Sequence, residues 1–238
     1  MGRERFYRNI MKIDNLKKFE VKVKETDLLI FAEKDIKKEI EEEVKKQRRI
    51  IETYIKKHPE FYLSFSPVDV ENDEEIIKLM SISSKLTKTG PMASVAGCIS
   101  EVIGKKFLSI SKEIFIENGG DIFMNLKNEV KIGIYAGSSP FSMKIGIKIK
   151  KNGPYGIATS SGTVGHSFSY GDADAVTIIS NSATFADGAA TYFGNLIKGK
   201  IDKEVIEKKI ENFPFVDGIL IIRGKELFVW GNMELVKF

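Results

Sequence analysis

Three groups of residues in this chain have types and spacing suited to chemistry. Asp187 and Thr191 stand four apart in "ADGAAT", so on a helix they share one face. A carboxylate beside a hydroxyl suits a hard cation such as Mg2+, with ligand phosphates and waters completing its shell. The same aspartate also reads as a charge that stabilises a helix N-terminus. The second group is "SSGTVGHSFSYGD", from Ser160 to Asp172. Runs of Gly and Ser expose amide N–H groups and short hydroxyls, which grip phosphate or carboxylate oxygens. His166 lies inside this run with polar neighbours, as a general base, a phosphate donor or a loop hydrogen-bonder. The third is Cys98, the one cysteine, within the small-residue stretch "SVAGCIS". A thiol there reads as a nucleophile or persulfide carrier, or as an inert buried side chain.

The surroundings of these residues are unusual for the chain. From Asn152 to Ile197 there is no Lys, Arg or Glu, and the charges are Asp172, Asp174 and Asp187. Burial in a central sheet explains "AVTIIS" but not "SSGTVGHSFSYGD", because hydroxyls and a His make a poor apolar core. The switch to small polar residues therefore reads as room made for a ligand. Asp172 and Asp174, flanking Ala173 at an expected strand start, read as a carboxylate pair that binds metal or turns to solvent. Elsewhere charge is dense but mixed, with 37 basic and 33 acidic residues interspersed as in "DIKKEIEEEVKKQRR". That is the pattern of a solvated helix face and points away from nucleic acid. No apolar run approaches the roughly 18 residues of a membrane span, and the start has no apolar leader. A lone thiol fits a reducing cytoplasm. The expected setting is cytoplasmic, with no membrane and no nucleic-acid partner, and a homo-oligomer is left open. Abundant Lys, Glu and Ile with a single glutamine, Gln47, resembles thermophile composition.

The elements that must position these residues follow from periodicity. "FEVKVKETDLLIFAE" alternates and then becomes continuously apolar, which predicts strands. Ile36, Ile40, Val44, Ile51 and Ile55 follow helical spacing and predict a helix from about Asp35 to Lys57, ended by His58-Pro59. A second helix carries Ile76, Ile77, Leu79 and Met80. A third, entered through Gly90-Pro91, carries Ala93, Ser94, Ala96 and Gly97, whose small side chains allow close approach of a backbone or a ligand. "EIFIENGGDIFMNL" reads strand, Gly-Gly turn, strand. Three more strand segments and "DAVTIIS" continue the sheet. "SATFADGAATYFGNLIKG" reads as a helix closed by Gly199, followed by a charged helix and a terminal hairpin. Strand runs broken by helices predict an α+β domain.

In order along the chain, "GPMASVAGCISE", "NGGDI", "ATSSG", His166, "AVTII" and "ADGAAT" resemble the motifs of the ApbE flavin transferase family, which moves FMN from FAD onto protein Thr or Ser. The resemblance spans about Thr89 to Gly194 and is closest to a prokaryotic and archaeal branch of that superfamily. It implies one ApbE-like α+β domain over residues 1–238, with mostly antiparallel sheets and packed helices. It implies Mg2+ at Asp187 and Thr191. It also implies a site for a phosphate-bearing ligand, FAD or FMN, on Gly119, Gly120, Asp121, Thr159, Ser160, Ser161 and Gly162. The family's cofactor-contacting Lys falls at Ser94 or Gly97 here, and its Asp-Pro-x-Thr-Gly after the His is replaced by "SFSYGDADA". The expectation is therefore a ligand site without full flavin transfer, with Cys98 and His166 as catalytic candidates. Two alternatives are a sulfur relay on Cys98 in sulfur amino-acid or cofactor synthesis, and a non-catalytic partner subunit.

Overall fold

Alternation at Phe19, Val21 and Val23 gives strand β1 (Lys17–Val23), paired antiparallel with β2 (Thr26–Ala32). Successive side chains of a strand point to opposite faces, and β2 is apolar throughout because both its faces are covered. Leu28 and Ile30 pack into a helical layer, while Leu29 and Phe31 pack into a second core on the other side. The computed structural model that shows this describes residues 6–9, 11–150, 153–162 and 170–238.

The large sheet continues from β2 through β3 (Ile114–Asn118), β4 (Asp121–Leu126), β7 (Gly153–Ser160), β8 (Ala175–Ser180), β9 (Val216–Arg223) and β10 (Glu226–Gly231). Every neighbouring pair is antiparallel. One face carries α1 (Lys37–Lys57), α3 (Glu75–Thr87) and α4 (Val95–Phe107) over β1 to β4. On that face α5 (Ala183–Leu196) and α6 (Lys203–Ile210) cover β7 to β10. A small antiparallel sheet, β5 (Val130–Gly133), β6 (Ile145–Ile149) and β11 (Glu234–Lys237), packs on the opposite face. The result is the expected α+β architecture. No helix among the described residues is long and apolar enough to cross a membrane.

Some details differ from the sequence expectation. Pro59 ends α1 but also opens a short helix, α2 (Pro59–Leu63), because proline is well suited to the first position of a helix. Helix α5 stops at Leu196 rather than at Gly199. Strand β8 begins at Ala175, so Asp172 and Asp174 precede it. They do not pair on one strand face: Asp172 is exposed and Asp174 is buried. Asp172 accepts from the Gly199 amide at 2.9 Å and pairs with Arg223, and Asp174 accepts from the Gly224 amide at 2.6 Å.

Helices α4 and α5 touch closely, and each lends the other a carboxylate. A Cβ on Gly97 would lie 2.3 Å from the Ala183 carbonyl oxygen, so only glycine permits this crossing. Ser94 precedes α4 without capping it, and Asp187 of α5 instead accepts from the Gly97 amide at 2.9 Å. In return Glu101 of α4 accepts at Oε2 from Ser182 Oγ at 2.6 Å, the Thr184 amide at 2.9 Å and Thr184 Oγ1 at 2.8 Å. First-turn amides of a helix have no partner within the helix, and both helix starts here are completed from across the contact.

Candidate functional site

The Gly-Gly turn joins β3 to β4 as a two-residue hairpin, with Asn118 opposite Asp121 and φ of +71° and +111° at Gly119 and Gly120. Positive φ at both central residues is the reason for two glycines. Below the turn, Glu117 is buried and fully engaged. Its carboxylate accepts from the Gly120 amide at 2.8 Å, Tyr7 Oη at 3.0 Å and Arg8 Nε at 2.6 Å. Arg8 also reaches Asp27 at 2.7 Å. A buried carboxylate persists only with such partners, and here they fix the turn. On the adjacent strand, β7 ends at Thr159 and Ser160, with Thr159 Oγ1 2.9 Å from Thr177 Oγ1 of β8. A Cβ on Gly120 would lie 3.6 Å from the Thr159 carbonyl, so the hairpin turn and the strand end are neighbours.

The start of α4 closes against this corner. Asn118 Nδ2 donates to the Ala96 carbonyl at 3.2 Å, and Ser100 Oγ donates to the Asp121 carbonyl at 3.3 Å. From α5, Asp187 meets the Gly97 amide, and Thr191 Oγ1 donates to the Ala93 carbonyl at 3.5 Å. The four-residue spacing thus sets both side chains on the face turned to α4. Burial pushes the Asp187 carboxyl up to about 7, against the amides of Gly97 and Ala96 that hold it down.

Gly119, Gly120, Asp121, Thr159, Ser160, Ser161, Asp187 and Thr191 all line one cleft of 2570 Å3. That exceeds the roughly 300–1,000 Å3 of a typical small-molecule pocket, so a single ligand occupies part of it. Of the other expected site residues, Gly162 lies outside the lining and packs by its backbone, its amide donating to the Ala173 carbonyl at 2.9 Å. His166 lies outside the described residues. Cys98 is 0% exposed, its Sγ is 3.7 Å from the Ile76 carbonyl oxygen, and burial pushes its thiol well above the ordinary range. A sulfur carrier must meet its donor as a thiolate. Both the burial and the raised pKa favour the inert, buried reading of Cys98 over a reachable, reactive thiol.

No group of three or more His, Cys, Asp or Glu suited to a metal occurs among the described residues. Asp187 and Thr191 together would supply a cation with one carboxylate and one hydroxyl. Such a donor set fits a hard cation that brings phosphate oxygens and waters with it, and does not fit a closed structural metal site. Sequence reasoning missed Glu117, Arg8 and Tyr7, which hold the turn, and Glu101, which holds α5. The signal available was a lone acid inside an otherwise apolar or small-residue segment, "IFIEN" and "GCISEVIG", since buried acids are rare unless paired.

The family model described as AbpE bacteria matches residues 8–213. A UPF0280 protein of Methanocaldococcus jannaschii is 42% identical over 224 residues, covering 90% of this chain and 91% of that protein. A UPF0280 protein of Methanothermobacter thermautotrophicus is 41% identical over 196 residues, covering 79% of this chain and 75% of its own length. Among solved structures, the apo flavinyl transferase ApbE of Pseudomonas stutzeri superposes with a TM-score of 0.61 at 13% identity, over 92% of this chain and 96% of that one. The flavin transferase ApbE of Vibrio cholerae gives a TM-score of 0.60 at 13% identity, over 90% and 97%. At such identities the likeness to these structures is one of fold.

Proposed function

The chain belongs to the family described as AbpE bacteria, and on that premise we propose that its cleft binds a phosphate-bearing ligand, a flavin nucleotide, together with Mg2+. The observation that carries this reading is the convergence of three separate elements on one corner. They are the Gly119-Gly120 turn, the β7 end at Thr159 to Ser161, and the α4 start facing Asp187 and Thr191. Glycine turns and hydroxyl-bearing strand ends of this kind are settings for phosphate, with the Gly120 amide itself held by Glu117 and the Gly97 amide by Asp187. None of the segments Gly119–Asp121, Thr159–Ser161, Ala93–Ala96 or Asp187–Thr191 contains a Lys or Arg. A cation held by Asp187 and Thr191 would balance the phosphate charge. Bound there, Mg2+ neutralises a diphosphate and polarises its oxygens. The chain's own groups orient the ligand through the turn and strand-end donors. The flavin assignment rests on the fold shared with proteins titled flavin transferases.

Full flavin transfer is not part of the proposal. The two positions that align with the family's Lys are Ser94, 1% exposed, and Gly97, which has no room for a Cβ. Neither can extend a cationic side chain into the cleft, which supports binding without that contact.

The test is calorimetric titration of FAD into metal-stripped protein, with and without Mg2+. Asp187→Asn keeps an acceptor for the Gly97 amide but is a poor cation ligand. It is expected to weaken Mg2+-dependent binding by about tenfold or more, or ~1.4 kcal/mol. Binding that is indifferent to Mg2+ in the wild type, or equal in the variant, removes the metal role.

A further inference from the structure

The cleft continues past Thr191 to a rim where two aromatic rings meet. Phe65 and Tyr170 line it, with ring centroids 5.6 Å apart and planes at 77°. They are 66% and 54% exposed, although large apolar rings gain by being covered.

Both rings are tied to the elements of the phosphate corner. The Tyr170 amide donates to Asn195 Oδ1 at 2.9 Å. Asn195 is four residues beyond Thr191 on α5, about 6 Å further along the helix axis. Phe65 follows Ser64, whose carbonyl oxygen would lie 1.9 Å from a Cβ on Gly90. Glycine at 90 therefore lets the Phe65 segment press on the turn that opens into Pro91 and α4. The aromatic rim and the Asp187–Thr191 face thus share the α4 start on one side and α5 on the other. Tyr62 and Tyr192 also line the cleft.

We infer that Phe65 and Tyr170 form the subsite for the planar ring of a nucleotide whose phosphates lie at Asp187, Thr191 and the Gly119-Gly120 turn. This inference rests on the reading that the cleft takes a phosphate-bearing ligand. Aromatic side chains stack on heterocyclic rings without demanding particular hydrogen bonds. The ring end thereby contributes affinity, and the phosphate end fixes orientation.

The experiment separates the two ends. Wild type, Phe65→Leu and Tyr170→Leu are titrated in Mg2+ with FAD and, separately, with inorganic pyrophosphate, after thermal melts confirm that each variant is folded. Both residues are exposed, and leucine keeps apolar bulk while removing the ring. The expected result is that each variant binds FAD about tenfold more weakly or worse, with pyrophosphate affinity held within about twofold. FAD affinity unchanged in both variants overturns the ring subsite and leaves the phosphate reading standing. Equal loss of FAD and pyrophosphate also overturns it, because the residues would then act on the phosphate end or the fold. A wild type that binds neither probe overturns the phosphate reading and the ring subsite together.

Discussion

Removing the Glu101 carboxylate is expected to destabilise the protein through the start of α5, and the size of the effect can be worked out from the bonds. Glu101 is 1% exposed, and its two oxygens have separate tasks. Oε2 takes Ser182 Oγ, the Thr184 amide and Thr184 Oγ1, while Oε1 takes Lys105 at 2.6 Å. A buried donor left without an acceptor costs about 1–3 kcal/mol. In Glu101→Ala the Thr184 amide loses its acceptor outright, and the two hydroxyls can partly re-aim, giving a loss of ~2–4 kcal/mol. Lys105 is half in solvent, so its share of the pairing is about 0–1 kcal/mol. Glu101→Gln is the control. Its carbonyl oxygen replaces Oε2, while its amide nitrogen cannot accept from Lys105, which turns to solvent, so the loss falls to about 1 kcal/mol. Thermal melts read the difference, at about 2–4 °C per kcal/mol for a chain of this size. Glu101→Ala should therefore melt about 4–16 °C low, with Gln between it and wild type. The Glu101 carboxyl is held below its ordinary 4.5, because Lys105, Ser182 and Thr184 outweigh the burial that pushes it up. A depressed carboxylate contributes stability above its unfolded pKa and loses it as pH falls through the folded one. The gap between wild type and Gln should accordingly close in acid. A Gln variant as unstable as Ala, or an Ala variant as stable as wild type, refutes the reasoning.

Two further outcomes test the contact between these helices and the cleft. Gly97→Ala drives a Cβ to 2.3 Å from the Ala183 carbonyl and 2.8 Å from Asp187 Cβ, an overpacking worth ~1–3 kcal/mol, and should weaken Mg2+-dependent FAD binding as well as lower the melting temperature. Gly104→Ala, which meets the Phe123 ring at 2.0 Å, should lower only the melting temperature, and equal binding losses in the two variants would refute the link to Asp187. Asp187 titrates near 7 when folded against an ordinary 3.8, so its contribution to stability is present below about 3.8 and lost as pH rises through 7. Relative to Asp187→Asn, the metal-free wild type should lose stability between pH 5 and 8, with Mg2+ restoring it at pH 8. A difference that stays flat with pH contradicts this assignment.

The fold was legible wherever one physical signal dominated. Helix α1 follows from five Ile and Val at helical spacing, and the β3–β4 hairpin follows from Gly119-Gly120 between apolar runs. Strand β11 was not legible, because "ELVK" is mostly exposed and becomes a strand only through its pairing with β6. Asp187 and Thr191 were visible as a pair because helical spacing is local. Glu117 was not, because its partners Tyr7 and Arg8 lie 110 and 109 residues away. The small residues around Cys98 predict the close approach of a backbone or a ligand. In the structure Gly97 makes room for Ala183 and Asp187 of α5, and Cys98 itself faces the core. A stretch of small side chains signals close approach, and local sequence does not say whether helix or ligand approaches.

The exchange of carboxylates between α4 and α5 divides the cleft into two parts with different physical demands. Asp187 completes the first turn of α4 and faces the cleft, so a cation placed there draws on a carboxylate already committed to the Gly97 amide. Any shift of Asp187 is then felt at Gly97 and Ala96, and through the Ala96 carbonyl and Asn118 at the Gly-Gly turn. The phosphate end is accordingly a single coupled unit. It is made of helix starts and a hairpin whose anchors, Glu101 and Glu117, are nearly inaccessible to solvent. The ring end differs. Phe65 and Tyr170 lie outside helices and strands and are more than half exposed, with the Tyr170 amide bonded to Asn195 and the Phe65 segment in backbone contact at Gly90. Substitutions there cost little folding energy, since exposed positions away from caps and buried networks change stability by about 0.5 kcal/mol or less. Replacing an anchor of the phosphate end costs several times that. Ring preference can therefore change on this scaffold while the phosphate corner is preserved.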